Sequence, residues 1–215
     1  FNYKPFSKLQ LNGMFSVGDW RYGSNVTANY QDENNVVVTN PSGEPFTETL
    51  YINDVKVGDA AQTTASIGAT YEILERFKID GNYRYVDNLY ASIDPVNFKT
   101  QAANDKGSLQ LPGYGLLDAG ISYKMLVGKE KDKSVDLRFN MNNVLDELYI
   151  AESRTNIHTK TQTDFVIASG PSAGQPDVAA YQNYQNTQVY DGLDKSNQVF
   201  FGFGRTWNFT IRYNF

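Results

Sequence analysis

Residues 204–215 read GRTWNFTIRYNF, and from Trp207 onward every second residue is apolar: Trp207, Phe209, Ile211, Tyr213 and Phe215. Asn208, Thr210, Arg212 and Asn214 lie between them. A period of two is the period of a β-strand, whose side chains point alternately to opposite faces. The same alternation recurs upstream. Val135, Leu137, Phe139 and Met141 alternate with Asp136, Arg138, Asn140 and Asn142. Leu117, Ala119, Ile121, Tyr123 and Met125 alternate with Asp118, Gly120, Ser122 and Lys124. Further strands are expected around 77–90 (Phe77, Ile79, Tyr83, Tyr85), 61–73 (Ala65, Ile67, Ala69, Tyr71, Ile73) and 9–17 (Leu9, Leu11, Phe15, Val17). That gives about six strands, no segment with helical spacing, and an all-β chain.

The connections sort by length. Residues 74–77 and 127–134 are short and predict hairpins, whereas 22–60, 87–113 and 150–197 are long and polar. Short turns at one end and long loops at the other are the pattern of an antiparallel transmembrane β-barrel. A soluble β-sandwich is the alternative, but its outer face would be rich in Lys and Glu. Here the polar positions hold Asn, Gln, Thr, Ser and Gly among mixed charges, and Tyr and Trp gather near strand ends as interfacial girdles do. If the last strand ends on the short-turn side, all three long loops fall on the same, outer side.

Composition removes several function classes. The 215 residues carry a net charge of -5, which excludes the basic surface of a nucleic-acid binder. There is no cysteine, so disulfides, thiolate metal sites and cysteine nucleophiles are excluded. No apolar run reaches the length of a spanning helix. Aromatics make up 14% of the chain, with 15 Tyr, which suits boundaries between apolar and wet surroundings.

The terminal strand, ending in Phe215, resembles the closing strand of TonB-dependent receptors. NMNNVLDELYIAES resembles that family's penultimate strand, with Asn143, Val144, Leu145 and Tyr149 at its recognisable element. LPGYGLLDAGISYKM and the segments around 55–94 are similar to the strands before it. The resemblance implies a barrel of about 22 strands around a plug, so residues 1–215 are expected to be the C-terminal segment of the barrel domain, with the plug and N-terminal strands outside it. It implies energy-coupled uptake of a scarce nutrient (a glycan, peptide or metal chelate) across the bacterial outer membrane. The implied partners are membrane lipid, the rest of the barrel and its plug, a TonB-type energy-coupling protein acting through that plug, the barrel-insertion machinery and, as a further candidate, a surface lipoprotein. A passive porin or adhesin-like barrel is the alternative function; an outer-membrane enzyme is a third.

No catalytic residue, metal site or cofactor is expected. His158 is the only histidine and stands in a loop. QDENN (31–35) and DGLD (191–194) lack the ligand spacing of an EF-hand and read as solvated loop carboxylates. The candidate lumen-facing residues are Lys78, Asp80, Arg84, Asp118, Lys124, Asp136, Arg138 and Arg212, since facing lipid each would cost up to about 2–4 kcal/mol near the midplane. Cross-strand pairing and plug contact are their expected roles, with a substrate path as the sharper alternative. Tyr181, Tyr184 and Tyr190 form a possible ligand-contact loop, with plain loop packing as the other reading. Under the resemblance, Ile211, Tyr213 and Phe215 serve as the assembly signal.

Overall fold

The computed structural model describes residues 1–215. Its main sheet is an antiparallel meander in chain order: β1 (Asn2–Phe6), β2 (Leu9–Val17), β3 (Thr63–Leu74), β4 (Phe77–Asp87), β5 (Tyr114–Val127), β6 (Lys133–Asn142) and β7 (Thr206–Asn214). The outer edges of β1 and β7 are unpaired, so the sheet is an unclosed barrel wall.

The sheet has seven strands rather than about six. β1 escapes the alternation test because it is short, contains Pro5, and slips register: Tyr3 faces Leu11, but Phe6 faces Leu9. Proline is tolerated on such an edge because the edge leaves N–H groups unpaired anyway. The segment NMNNVLDELYIAES, likened to a strand, is strand only as far as Asn142, and the strand expected around 77–90 leaves the sheet at Asp87.

From β2 to β7 the register keeps parity, apart from one shift between Glu72 and Leu74 at the turn end of β3. One row across the sheet runs Leu11, Ala69, Gly81, Ala119, Met141, Trp207; the next runs Gln10, Thr70, Asp80, Gly120, Asn140, Asn208. One residue of slip would put polar rows on the apolar face, so the alternation itself specifies this register. Both faces are open. Phe15, Ile67, Trp207 and Ile211 are 61–73% exposed, and of the buried apolar residues only Leu116 lies in the sheet. No helix is long and apolar enough to cross a membrane.

Three short turns lie at one end: Ser7–Lys8, Glu75–Arg76 and Gly128–Asp132. In the Glu75–Arg76 turn Arg76 takes φ 66°, and its guanidinium lies 2.6 Å from Glu75 Oε1.

The three long loops at the other end are structured. The first carries a hairpin, Val26–Asn29 with Thr47–Leu50. The second carries helix α1 (Gln101–Lys106) between the paired segments Leu89–Tyr90 and Gln110–Leu111. The third pairs Ile150–Ser153 with Val199–Phe201 and carries helix α2 (Val178–Gln188). Together they hold the protein's core. One cluster joins Leu89, Ala91, Leu109, Leu111, Ile150 and Leu193, with Ala61 against it; a second joins Ile52, Val55 and Phe98. The loops therefore pack as one cap, and the wall beneath has no core of its own.

Candidate functional site

The polar face of the wall is built from even-numbered residues and is tied across strands. Arg84 Nη2 lies 2.9 Å from Asp118 Oδ2, Arg138 Nη2 lies 3.1 Å from Asp80 Oδ2, and Lys78 Nζ lies 3.7 Å from Glu72. Asp80 and Arg138 sit on β4 and β6, with β5 between them, so their pair must pass over a strand. Gly120 permits this: a Cβ there would fall 2.6 Å from Asp80 Oδ2 and 3.0 Å from Arg138 Nη2. Gly68 does the same for Asn12 and Asn82, whose amides lean over it from both sides. Neither glycine stands out in the sequence, because its reason lies on the neighbouring strands.

Asp118 has a second task. Its Oδ1 accepts from the backbone N–H of Asn143 at 3.0 Å. Asn143 takes φ 49° and is buried; its side-chain Oδ1 accepts from Glu147 N, and its Nδ2 donates to the carbonyls of Glu147 and Phe203. Val144 N then donates to Leu117 O at 2.7 Å. The NVLDELY segment is thus a fixed corner rather than strand, which is why β6 stops at Asn142. One carboxylate couples the wall to the base of the cap.

Of the eight predicted polar-face charges, five are paired: Lys78, Asp80, Arg84, Asp118 and Arg138. Asp136 accepts from the Asn214 amide at 2.9 Å. Lys124 and Arg212 make no ion pair, although both stand opposite Asp136 in the register; they line an open groove of about 450 Å³ near the short-turn end with Glu72, Arg76, Lys78, Asp136 and Arg138. Cations outnumber acids there, a bias invisible along the chain because it arises from four different strands.

The three loop tyrosines do not converge. Tyr184 is buried; its hydroxyl donates to Asp194 Oδ2 at 2.6 Å and accepts from Lys160 N at 3.0 Å. Tyr181 and Tyr184 both pack on Phe165, with ring centroids 5.7 and 5.3 Å away. Tyr190 lies apart, half exposed, beside an apolar hollow lined by Leu148, Ile150, Leu193, Val199 and Phe201. Burial opposes ionisation of Asp194, but hydrogen bonds from Tyr184 and Ser196 N–H outweigh it and hold its pKa below the usual value. Burial and the adjacent carboxylate push the Tyr184 phenol up.

The other loop candidates are also committed. Asp32 of QDENN accepts from the N–H groups of Asn34 and Val36, closing a turn in which Asn35 takes φ 62°. His158 is half-buried, with Nε2 3.1 Å from Gly107 O. No group of three or more His, Cys, Asp or Glu is placed to hold a metal ion. At the root of the first loop, hydrogen bonds from Arg21 and Lys56 bring the Asp19 carboxyl down to about 2.

The wall thus combines an alternating apolar face, a polar face with cross-strand pairs, and long loops gathered at one end. The family model for the TonB dependent receptor-like β-barrel matches residues 8–144. The chain belongs to this family. These receptors are proteins of the Gram-negative outer membrane, and the strands of the wall are the elements that would cross it. A solved structure with partial likeness is the ferric-catecholate import receptor Fiu of E. coli K12 in its closed form, at TM-score 0.35 and 13% identity over 72% of this chain. The chain spans 24% of that receptor's length. In this chain Ile211 and Tyr213 are more than half exposed on the apolar face of β7, beside its unpaired edge, and Phe215 follows the strand's last residue, almost fully exposed.

Proposed function

We propose that residues 1–215 form the C-terminal wall of a larger outer-membrane barrel, and that the whole protein imports a scarce polar nutrient driven by a TonB-type partner acting through a plug. The observation that carries this reading is the parity kept from β2 to β7, interrupted only between Glu72 and Leu74 at a turn end, which separates an apolar face from a polar one. In a membrane, every backbone group must be paired inside the protein. The free edges of β1 and β7 therefore call for further strands. The odd residues then face lipid, the even ones face the lumen, and the cap stands on the outer surface. The paired charges hold the wall at low cost, and the unpaired Lys124 and Arg212 suit contact with a plug.

Conductance of the full-length protein in a planar bilayer tests the reading. An energy-coupled transporter is plugged at rest, so the intact protein is expected to show no sustained current, and deletion of its plug is expected to open one. A steady current through the intact protein would overturn the proposal in favour of a passive porin.

A further inference from the structure

The second and third loops enclose a groove of about 590 Å³ that none of the features above uses. Its lining includes Asp94, Asn97, Lys106, Arg154, Asn156 and His158. Its floor is rigid. Asn156 Oδ1 accepts from Leu109 N and its Nδ2 donates to Gly107 O, which staples the third loop to the second. Asn197, itself buried, holds the other side: its Oδ1 accepts from Thr155 Oγ1 and Ile157 N, and its Nδ2 donates to Ile157 O. Ser92 N donates to Ser153 O, and Arg154 N to Gln198 O. The backbone from Ser153 to His158 is therefore fixed on both flanks.

Into this fixed groove the side chains bring surplus positive charge. Neither Lys106 nor Arg154 takes part in any ion pair, although the chain as a whole carries -5. The one carboxylate in the lining, Asp94, already accepts from Val96 N. His158 Nε2 faces the Gly107 carbonyl, so it serves there as donor and keeps the ring oriented. A volume of this size suits a small solute, but the walls are too polar to hold one by apolar contact. Recognition there has to come from charge, with Arg154 offering the planar fork that fits carboxylate or phosphate oxygens and Lys106 a point charge.

We propose that this groove is a binding site for an oxyanion, carried either by a small polycarboxylate or phosphorylated solute or by the phosphate of a neighbouring lipid headgroup. Binding here needs neither a plug nor an energised membrane. Its failure would leave the conductance test untouched, and the reverse holds too.

The test uses the full-length receptor in phosphatidylcholine nanodiscs, titrated calorimetrically with citrate, inorganic phosphate and, as a neutral control, sucrose. Citrate is expected to bind and sucrose not. Citrate affinity is expected to fall about tenfold for Arg154→Gln and for Lys106→Gln, to be partly kept in Arg154→Lys, and to rise in Asp94→Asn, since a charge-assisted contact contributes about that much. Unchanged heat-modifiable migration on a gel establishes that each variant still forms the barrel. Nanodiscs containing lipopolysaccharide separate the two sources. Loss of citrate binding there identifies the lipid phosphate as occupant, and unchanged binding identifies a soluble anion. Absence of citrate and phosphate binding to the wild type, or equal binding by the Lys106→Gln/Arg154→Gln double variant, would overturn the site.

Discussion

Gly120 and Gly58 both lack a side chain because another group occupies its space, yet substitution should affect them very differently. At Gly120 the occupants are the tips of Asp80 and Arg138, which can swing away. Gly120→Ala should therefore break only that ion pair, which is partly exposed and contributes about 0.2–1 kcal/mol. Arg138→Gln removes the same pair, so the double variant should lose no more than the larger single one. Urea unfolding of the full-length receptor, with the four proteins compared as a cycle, checks this. Additive losses would mean that Gly120 matters for some other reason. At Gly58 the occupant is backbone: a Cβ would fall 2.7 Å from the Ala91 carbonyl carbon and 2.8 Å from Ser92 Cα. Neither can swing aside, and Asp59 N donates to Tyr90 O at 3.0 Å beside them. Gly58→Ala should push the first loop off the second, costing about 1–3 kcal/mol of cap stability as overpacking does. Faster protease cleavage in the long loops, with the wall still heat-modifiable, is the expected result.

Helix α2 shows how a loop element is held without an apolar face. Asp177 caps it by accepting from Ala180 N, and its buried anchor is Tyr184 on Asp194. The pKa of Asp194 is lowered, so the stability it contributes is present above the ordinary carboxylate value of 3.8 and is lost as pH falls through its lower folded value. The pKa of Tyr184 is raised, so its contribution is present below the ordinary 10.0 and is lost as pH climbs through its higher folded value. Protection of the α2 amides, taken relative to their intrinsic exchange rate at each pH, should accordingly be greatest between those limits and fall on both sides. Tyr184→Phe leaves a buried carboxylate short of a donor, at about 1–3 kcal/mol. It should abolish the alkaline limb and move the acid limb to higher pH; an unchanged acid limb would show that Ser196 alone holds Asp194. Little of this element was legible beforehand. The wall was, because alternation and a long continuous register are local to each strand and repeat. The cap was not: its helices are short and polar, and its core takes Leu89, Leu111, Ile150 and Leu193 from segments far apart in the chain. For Tyr184 the sequence left ligand contact and loop packing both open, because the feature that makes it an internal anchor is Asp194, ten residues on and across a turn. The polar-face charges were legible for the opposite reason, since parity alone puts them on one side.

For the whole molecule, the question is what closes the wall. Seven strands fall short of the roughly eight that the smallest membrane barrels need, and two open edges inside lipid would cost several kcal/mol per unpaired group. Residues 1–215 expressed alone should therefore not yield a heat-modifiable membrane monomer, whereas the full-length parent should. Within the parent, parity predicts that cysteine at Arg138 reacts with a membrane-impermeant thiol reagent and cysteine at Leu137 or Phe139 does not; equal labelling would sink the face assignment. Phe215 then tests the terminus. Its ring is 97% exposed in the open wall and lies beside Tyr213, with centroids 6.1 Å apart. Burying one such side chain contributes roughly 1.5–3 kcal/mol, too little to undo a closed barrel once formed. Before closure, though, the same ring stands on the apolar face at the edge that must be paired last, where it is accessible to whatever guides insertion. Deleting Phe215 should lower the amount of receptor at the cell surface while the molecules that do arrive bind citrate as the wild type does. Surface abundance and calorimetric affinity, measured on the same preparations, separate the two roles. Normal abundance with lost affinity would mean that the alternation carried to the last residue serves the binding site and not assembly.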